Sequence, residues 1–216
     1  MIDFQHARAV MVERQLTRRG VSNPAVLAAM REVPRERFVP EQFRTRAYED
    51  TPLPIESGQT ISQPFIVAAM IEAAEVGATD NVLEVGAGSG YAAAVLGRIA
   101  RCVTAIERHA DLCSAARDRI RQLGYDNVEI VHGDGTRGCA QRAPFDVIIA
   151  AAGGPAVPQA LKEQLEIGGR LVMPVGETQH DQRLIKVTRE TATVFVEEDL
   201  GGVAFVPLIG AHGWPA

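Results

Sequence analysis

A chain of 216 residues, 46% hydrophobic and 23% charged, can bury one substantial core and is short for two full-sized domains. Its net charge of -5 comes without any block of lysine or arginine, which argues against nucleic acid as a partner. No apolar run approaches the roughly 20 residues that span a bilayer, and the N-terminus lacks the apolar core of a signal peptide. Cys102, Cys113 and Cys139 have no paired spacing and the five histidines no ligand spacing. These features predict a cytoplasmic protein with reduced thiols, no metal and no membrane association.

In chain order, the first 50 or so residues read as helical. Asp3 is placed to cap a segment running to Gly20, and Asn23-Pro24 is a cap followed by proline at the first helical position. Prolines at 34, 40, 52 and 54 then impose an irregular stretch. From Asn81 the rhythm changes to β-branched runs alternating with amphipathic segments. Strands are expected at 82–85, 103–106, 128–132, 146–149 and 171–175. Helices are expected at 91–100, at 110–123 with Gly124 as its stop, and near 158–165. That alternation predicts an α/β, doubly wound, mostly parallel sheet. After Gly176, 183–188 and 193–196 alternate like antiparallel strands, with 203–209 as a third. The whole reads as one domain: a helical extension over 1–78, an α/β core over 79–176 and C-terminal strands over 177–216.

Glu84-Val85-Gly86-Ala87-Gly88-Ser89-Gly90 falls between a strand and a helix, where open α/β sheets bind ligands. The dinucleotide fingerprint wants G-x-G-x-x-G/A, and Tyr91 occupies its last place. Glu84 would repel a pyrophosphate and attract the ammonium and sulfonium of S-adenosylmethionine. Glu107 ends the next strand, where an acid can accept the hydroxyls of a ribose; taken alone it reads as a solvated residue at a helix start. Asp134-Gly135 follows the third strand, where an adenine amino group would lie, or forms an ordinary Asp-Gly turn. Three acidic strand ends in register, with Gly86 and Gly88 in the loop, imply a Rossmann-like, S-adenosylmethionine-dependent methyltransferase fold. The fourth-strand tract, Ala150 to Gly154, lacks the Asn/Asp-Pro-Pro-aromatic motif of amino methylation of bases. No cysteine has the context for cytosine methylation, and no Lys/Asp/Lys/Glu tetrad for ribose methylation is evident.

The stretch Tyr48 to Pro64 contains Gly58-Gln59-Thr60-Ile61-Ser62-Gln63-Pro64. It closely resembles the Gly-Gln-Thr-Ile-Ser-x-Pro segment of the protein-L-isoaspartate O-methyltransferase family. The resemblance continues through 82–90, Glu107-Arg108, Gly133-Asp134-Gly135, 145–149, 164–176 and Phe205-Val206-Pro207-Leu208. It implies methyl transfer from S-adenosylmethionine to the free α-carboxylate of isoaspartyl residues in damaged proteins, opening repair through a succinimide. By position, Ser62 matches the family's active-site serine. Gln59, Thr60 and Ile61 match the segment that packs along the cofactor, and Glu84, Glu107, Arg108, Asp134 and Gly135 match its contacts. Glu56, Phe65 and Ala151 depart from the family's usual residues and bear on the substrate groove.

An α-carboxyl group has a pKa of roughly 3.3–3.7, so the acceptor is already a nucleophile and needs no general base. Ser62 suits a positioning role beside the N-terminus of a helix starting at Pro64; the alternative is that it only caps that helix. A monomer acting on damaged proteins is expected. Two other readings stand beside it: a same-fold methyltransferase for a small carboxylic acid, and a nucleotide-binding module without catalysis.

Overall fold

The computed structural model describes residues 2–178 and 181–215. Helix α1 (Phe4–Met11) opens where the Asp3 carboxylate accepts from the His6 N–H at 3.0 Å. The expected run to Gly20 is continuous, but it loosens into a π segment at Val12–Leu16 and tightens into a 3-10 turn at Thr17–Arg19. It stops at Gly20, whose φ of 99° ends the spiral. Asn23 caps α2 (Pro24–Glu32) by accepting from the Ala25 and Val26 N–H groups. Short 3-10 turns follow at Arg35–Arg37 and Glu41–Arg46. A small antiparallel hairpin comes next, β1 (Leu53–Pro54) with β2 (Thr60–Ile61), and then α3 (Pro64–Ala73).

The core alternates as expected: β3 (Asn81–Val85), α4 (Tyr91–Gly97), β4 (Cys102–Glu107), α5 (Ala110–Gln122), β5 (Val128–His132) and β6 (Phe145–Ala150). Next come α6 (Gln159–Glu163), β7 (Leu165–Val175), β8 (Gln182–Arg189) and β9 (Phe195–Val203). The seven-stranded sheet runs β5-β4-β3-β6-β7-β8-β9, parallel up to β7 and antiparallel beyond it. The chain leaves β3 on one side and returns to its other side at β6, so the crevice at the carboxyl ends of β3 and β6 is the topological switch point.

Successive strand residues supply two cores, as a period of two requires. Val82 and Val147 face the cluster that also holds Met11, Met30, Phe38, Ile71 and Leu96. Leu83 and Ile148 face a second cluster with Leu161, Leu171 and Met173. The N-terminal helices therefore share a core with one face of the sheet.

Three expectations need correcting. The helix near 158–165 is only Gln159–Glu163, because Leu165 already pairs with Phe145 as the start of β7. The strand expected at 193–196 runs instead over Phe195–Val203; Thr193 belongs to a turn in which the Thr191 hydroxyl oxygen accepts from the Thr193 and Val194 N–H groups. The third strand at 203–209 does not form. Val203 ends β9, and the chain then docks on the 153–154 turn, with Gly153 N–H donating to Val206 and Leu208 N–H donating to Gly153. Pro207 offers no N–H, so this run cannot extend a ladder on both sides.

Candidate active site

The glycine loop folds back on the neighbouring strand, with the Gly86 and Ala87 N–H groups both donating to the Ile106 carbonyl, at 2.9 and 3.0 Å. Gly86, Gly88 and Gly90 have φ of 91°, 54° and 87°, a left-handed conformation that side chains resist. The loop wraps one side of a cavity of about 250 Å³. The segment Gly58 to Ser62 also lines it, and α3 contributes Val67, Met70 and Ile71.

Two carboxylates are buried here. Glu84 is 1% exposed and its Oε2 has no hydrogen-bond partner among the described residues. Burial pushes its carboxyl well above the ordinary carboxylate range, and the nearby Glu107 charge adds to the shift. Glu107, 4% exposed, accepts from the Gly88 N–H at 2.8 Å and the His109 N–H at 2.9 Å. It thus ties the end of β4 to the glycine loop while each oxygen retains a free lone pair. A buried carboxylate oxygen lacking a donor, beside a second acid, fits a ligand with a cationic group and hydroxyls; the chemistry of S-adenosylmethionine meets that requirement.

Of the residues expected from the sequence, Gln59, Thr60, Ile61, Ser62, Glu84, Gly86, Gly88, Glu107, Arg108 and Gly135 all line this one cavity. The structure does not bring Asp134 into that lining. Its carboxylate accepts from the Thr136 N–H, the Thr136 hydroxyl and the Ala211 N–H, and it lies 3.6 Å from Arg137. Partial burial works against its charge, but these donors outweigh it and hold its pKa below the ordinary value. It faces an adjoining concavity with His132, Gly133 and Trp214, which shares Arg108 and Ile209 with the main cavity.

Ser62 is not the cap of α3. The N-cap is Gln63, which makes no side-chain cap bond, and the Phe65 N–H is taken by the Asp50 carboxylate at 3.1 Å. The Ser62 side chain is half-buried on the cavity wall and makes no hydrogen bond among the described residues. Of the departures, Glu56 is exposed at the hairpin tip, the Phe65 ring lies 3.5 Å beneath the Arg19 guanidinium, and Ala151 lines the cavity.

Sequence reasoning missed the wall formed by Phe205 to Ile209. A proline inside that apolar run was the available signal against a strand. It also missed Arg35, fully buried behind Ser62, for which the sequence carries no signal because arginine is rarely interior.

The family model described as protein-L-isoaspartate(D-aspartate) O-methyltransferase matches residues 6–213. The chain belongs to that family. A protein-L-isoaspartate O-methyltransferase of Rhodopseudomonas palustris is 59% identical over 204 residues, covering 94% of each chain. Among solved structures, one protein-L-isoaspartate O-methyltransferase superposes with a TM-score of 0.86 at 30% identity, covering 95% of this chain and 67% of its own. A Plasmodium falciparum structure described as the same kind of enzyme, in complex with S-adenosyl-L-homocysteine, gives a TM-score of 0.81 at 25% identity, covering 94% and 98%. Membership in the protein-L-isoaspartate O-methyltransferase family accounts for the acidic, glycine-walled cavity and for the α/β sheet that carries it. No helix among the described residues is long and apolar enough to cross a membrane.

Proposed function

We propose that this member of the family is a protein-L-isoaspartate O-methyltransferase that uses S-adenosylmethionine, with Ser62 holding the acceptor carboxylate. One observation carries the residue assignment: a single cavity is lined both by the Gly58 to Ser62 segment and by the buried acids Glu84 and Glu107. Glu84 would take the cationic end of the cofactor, Glu107 its ribose hydroxyls, and the backbone at Gly135 would border its base. S-adenosylmethionine, when bound, supplies an electrophilic methyl group on a sulfonium.

What the chain itself must do is orient and desolvate. The Ser62 hydroxyl donates to one oxygen of the acceptor carboxylate and leaves the other free to react. The apolar wall of Ile61, Val67 and Leu208 excludes water. Orientation of this kind is worth about 7–11 kcal/mol in favourable cases. No residue is asked to remove a proton, because an α-carboxyl is ionised at neutral pH. The Ser62 side chain serves no cap, so its hydroxyl is available for this role. The reading extends to a cytosolic monomer whose partners are damaged proteins rather than nucleic acid or membrane, and its three cysteines are free.

The test is methyl transfer to an isoaspartyl peptide beside its aspartyl twin, with wild type and Ser62→Ala. Wild type should methylate only the isoaspartyl form, since that isomer alone offers a free α-carboxylate at the residue. Ser62→Ala should lose most turnover while S-adenosylhomocysteine affinity and melting temperature stay near wild type. Equal transfer to both peptides would overturn the substrate assignment, and full turnover in Ser62→Ala would overturn the role of the serine.

A further inference from the structure

Arg35 is 0% exposed, an unusual place for a guanidinium. Its Nε donates to the Ala47 carbonyl at 2.7 Å and its Nη2 to the Ser62 carbonyl at 2.8 Å, joining segments 12 and 27 residues away in sequence. Its guanidinium carbon lies 4.7 Å from the centre of the Tyr91 ring, and Tyr91 is the first residue of α4, directly after the glycine loop. Nη1 has no partner among the described residues. Asp50, whose field reaches this guanidinium, is committed elsewhere: it pairs with Arg19 and accepts from the Phe65 N–H.

A guanidinium buried without a carboxylate against it is destabilising by itself, because desolvation outweighs what two carbonyls return. An apolar side chain would fill the same space at lower cost. What arginine adds is a rigid planar fork that delivers parallel N–H groups to two carbonyls at once, with a face left over for an aromatic ring. Here the fork ties the Ser62 carbonyl to the Ala47 carbonyl, and the guanidinium carbon sits over Tyr91. The guanidinium thus touches both the backbone of the residue that would hold the acceptor and the first residue of the helix that follows the glycine loop.

We propose that Arg35 is a positioning residue for methyl transfer: it sets the Ser62 segment in register against the glycine loop, with Asp50 holding the same segment from its other flank at Phe65. Arg35 does not line the cavity; it touches two residues that do, Ser62 and Tyr91, and the proposal assigns its effect on turnover to Ser62. This inference rests on the role assigned above to that serine. Lysine at this position keeps the charge but loses the two-carbonyl fork and the flat guanidinium over Tyr91.

A double-mutant cycle on the full chain separates positioning from general support. Arg35→Lys should lower kcat on an isoaspartyl peptide by about tenfold or more, with S-adenosylhomocysteine Kd within about twofold of wild type. In a Ser62→Ala background the same change should cost about twofold or less, because the hydroxyl it positions is gone. Equal losses in both backgrounds, unchanged kcat, or a parallel loss of S-adenosylhomocysteine affinity would each overturn the inference while leaving the Ser62 assignment standing. Full turnover in Ser62→Ala alone would overturn that assignment and this inference with it. Should Arg35→Lys fail to fold, Asp50→Ala, a change at a partly exposed residue, takes its place in the same cycle. A kcat loss that largely disappears in the Ser62→Ala background then supports the inference, and an equal loss in both backgrounds, or none, overturns it.

Discussion

The Glu84 carboxyl sits where it is costly to the ligand-free protein. Its folded pKa is raised by burial and by Glu107, so the folded state holds a proton that the unfolded chain releases in the ordinary carboxylate range. The associated stability is complete below the unfolded pKa of roughly 4.3 and is lost as pH rises through the raised folded value. Glu84→Gln should therefore raise the melting temperature of the ligand-free protein at neutral pH and change it little near pH 4. The same change should weaken S-adenosylhomocysteine by about 1–3 kcal/mol, the worth of a hydrogen bond to a charged group. Calorimetry of the two variants at both pH values checks this, and equal ligand affinity would remove Glu84 from the cofactor site. Asp134 has the opposite sign. Its lowered folded pKa gives stability that is present above its unfolded value and lost as pH falls through the folded one. Asp134→Ala should cost about 1–2 kcal/mol of stability through lost capping. Calorimetry with S-adenosylhomocysteine on the same variant tests whether Asp134 also meets the ligand, unchanged affinity removing it from the cofactor site.

At the scale of elements, the C-terminal segment behaves as a wall of the site and not as a strand. Trp214 pins it: the indole N–H donates to the Gly153 carbonyl at 3.0 Å and the Trp214 N–H to Leu208 at 2.8 Å. The chain holds one tryptophan, so its emission reports on this segment alone. Titration with S-adenosylhomocysteine should shift that emission and saturate at the calorimetric Kd. Trp214→Ala should weaken the ligand several-fold, on the order of 1 kcal/mol for the lost indole bond. A flat fluorescence titration alongside normal calorimetric binding would show that Phe205 to Ile209 does not sense the ligand. The hairpin β1–β2 supplies another wall, and its tip carries Ser57 at a φ of 56°, a strained position for a residue with a side chain.

For the whole molecule, the helical extension and the sheet share one core: Met11, Phe38 and Ile71 belong to the same cluster as Val82, Leu96 and Val147. We therefore expect residues 1–78 and 79–216 to unfold together, with calorimetric and van't Hoff enthalpies equal. Two resolved transitions would divide the chain. Because both parts line the cavity, S-adenosylhomocysteine at 100 times its Kd should stabilise that single transition by about 2.7 kcal/mol.

Local chemistry was enough to read the elements whose causes are local. The Asp3 and Asn23 caps, the stop at Gly124, the buried runs of β3, β4 and β6 and the alternation of β5 each follow from a few adjacent residues, and the glycine loop with Glu84 and Glu107 at two strand ends follows from spacing. Most of the cavity was legible for the same reason, since Gly58 to Ser62 and Glu84 to Gly88 are contiguous segments. Contacts between distant segments were not. That Asp134 holds the Ala211 N–H depended on where the C-terminal chain returned, 77 residues later. Whether Ser62 capped α3 depended on Asp50 reaching the Phe65 N–H across 15 residues. The burial of Arg35 depended on three segments closing around one guanidinium. Such outcomes are set by which long-range partner claims a polar group first, and that is decided by packing in three dimensions, not by neighbours along the chain.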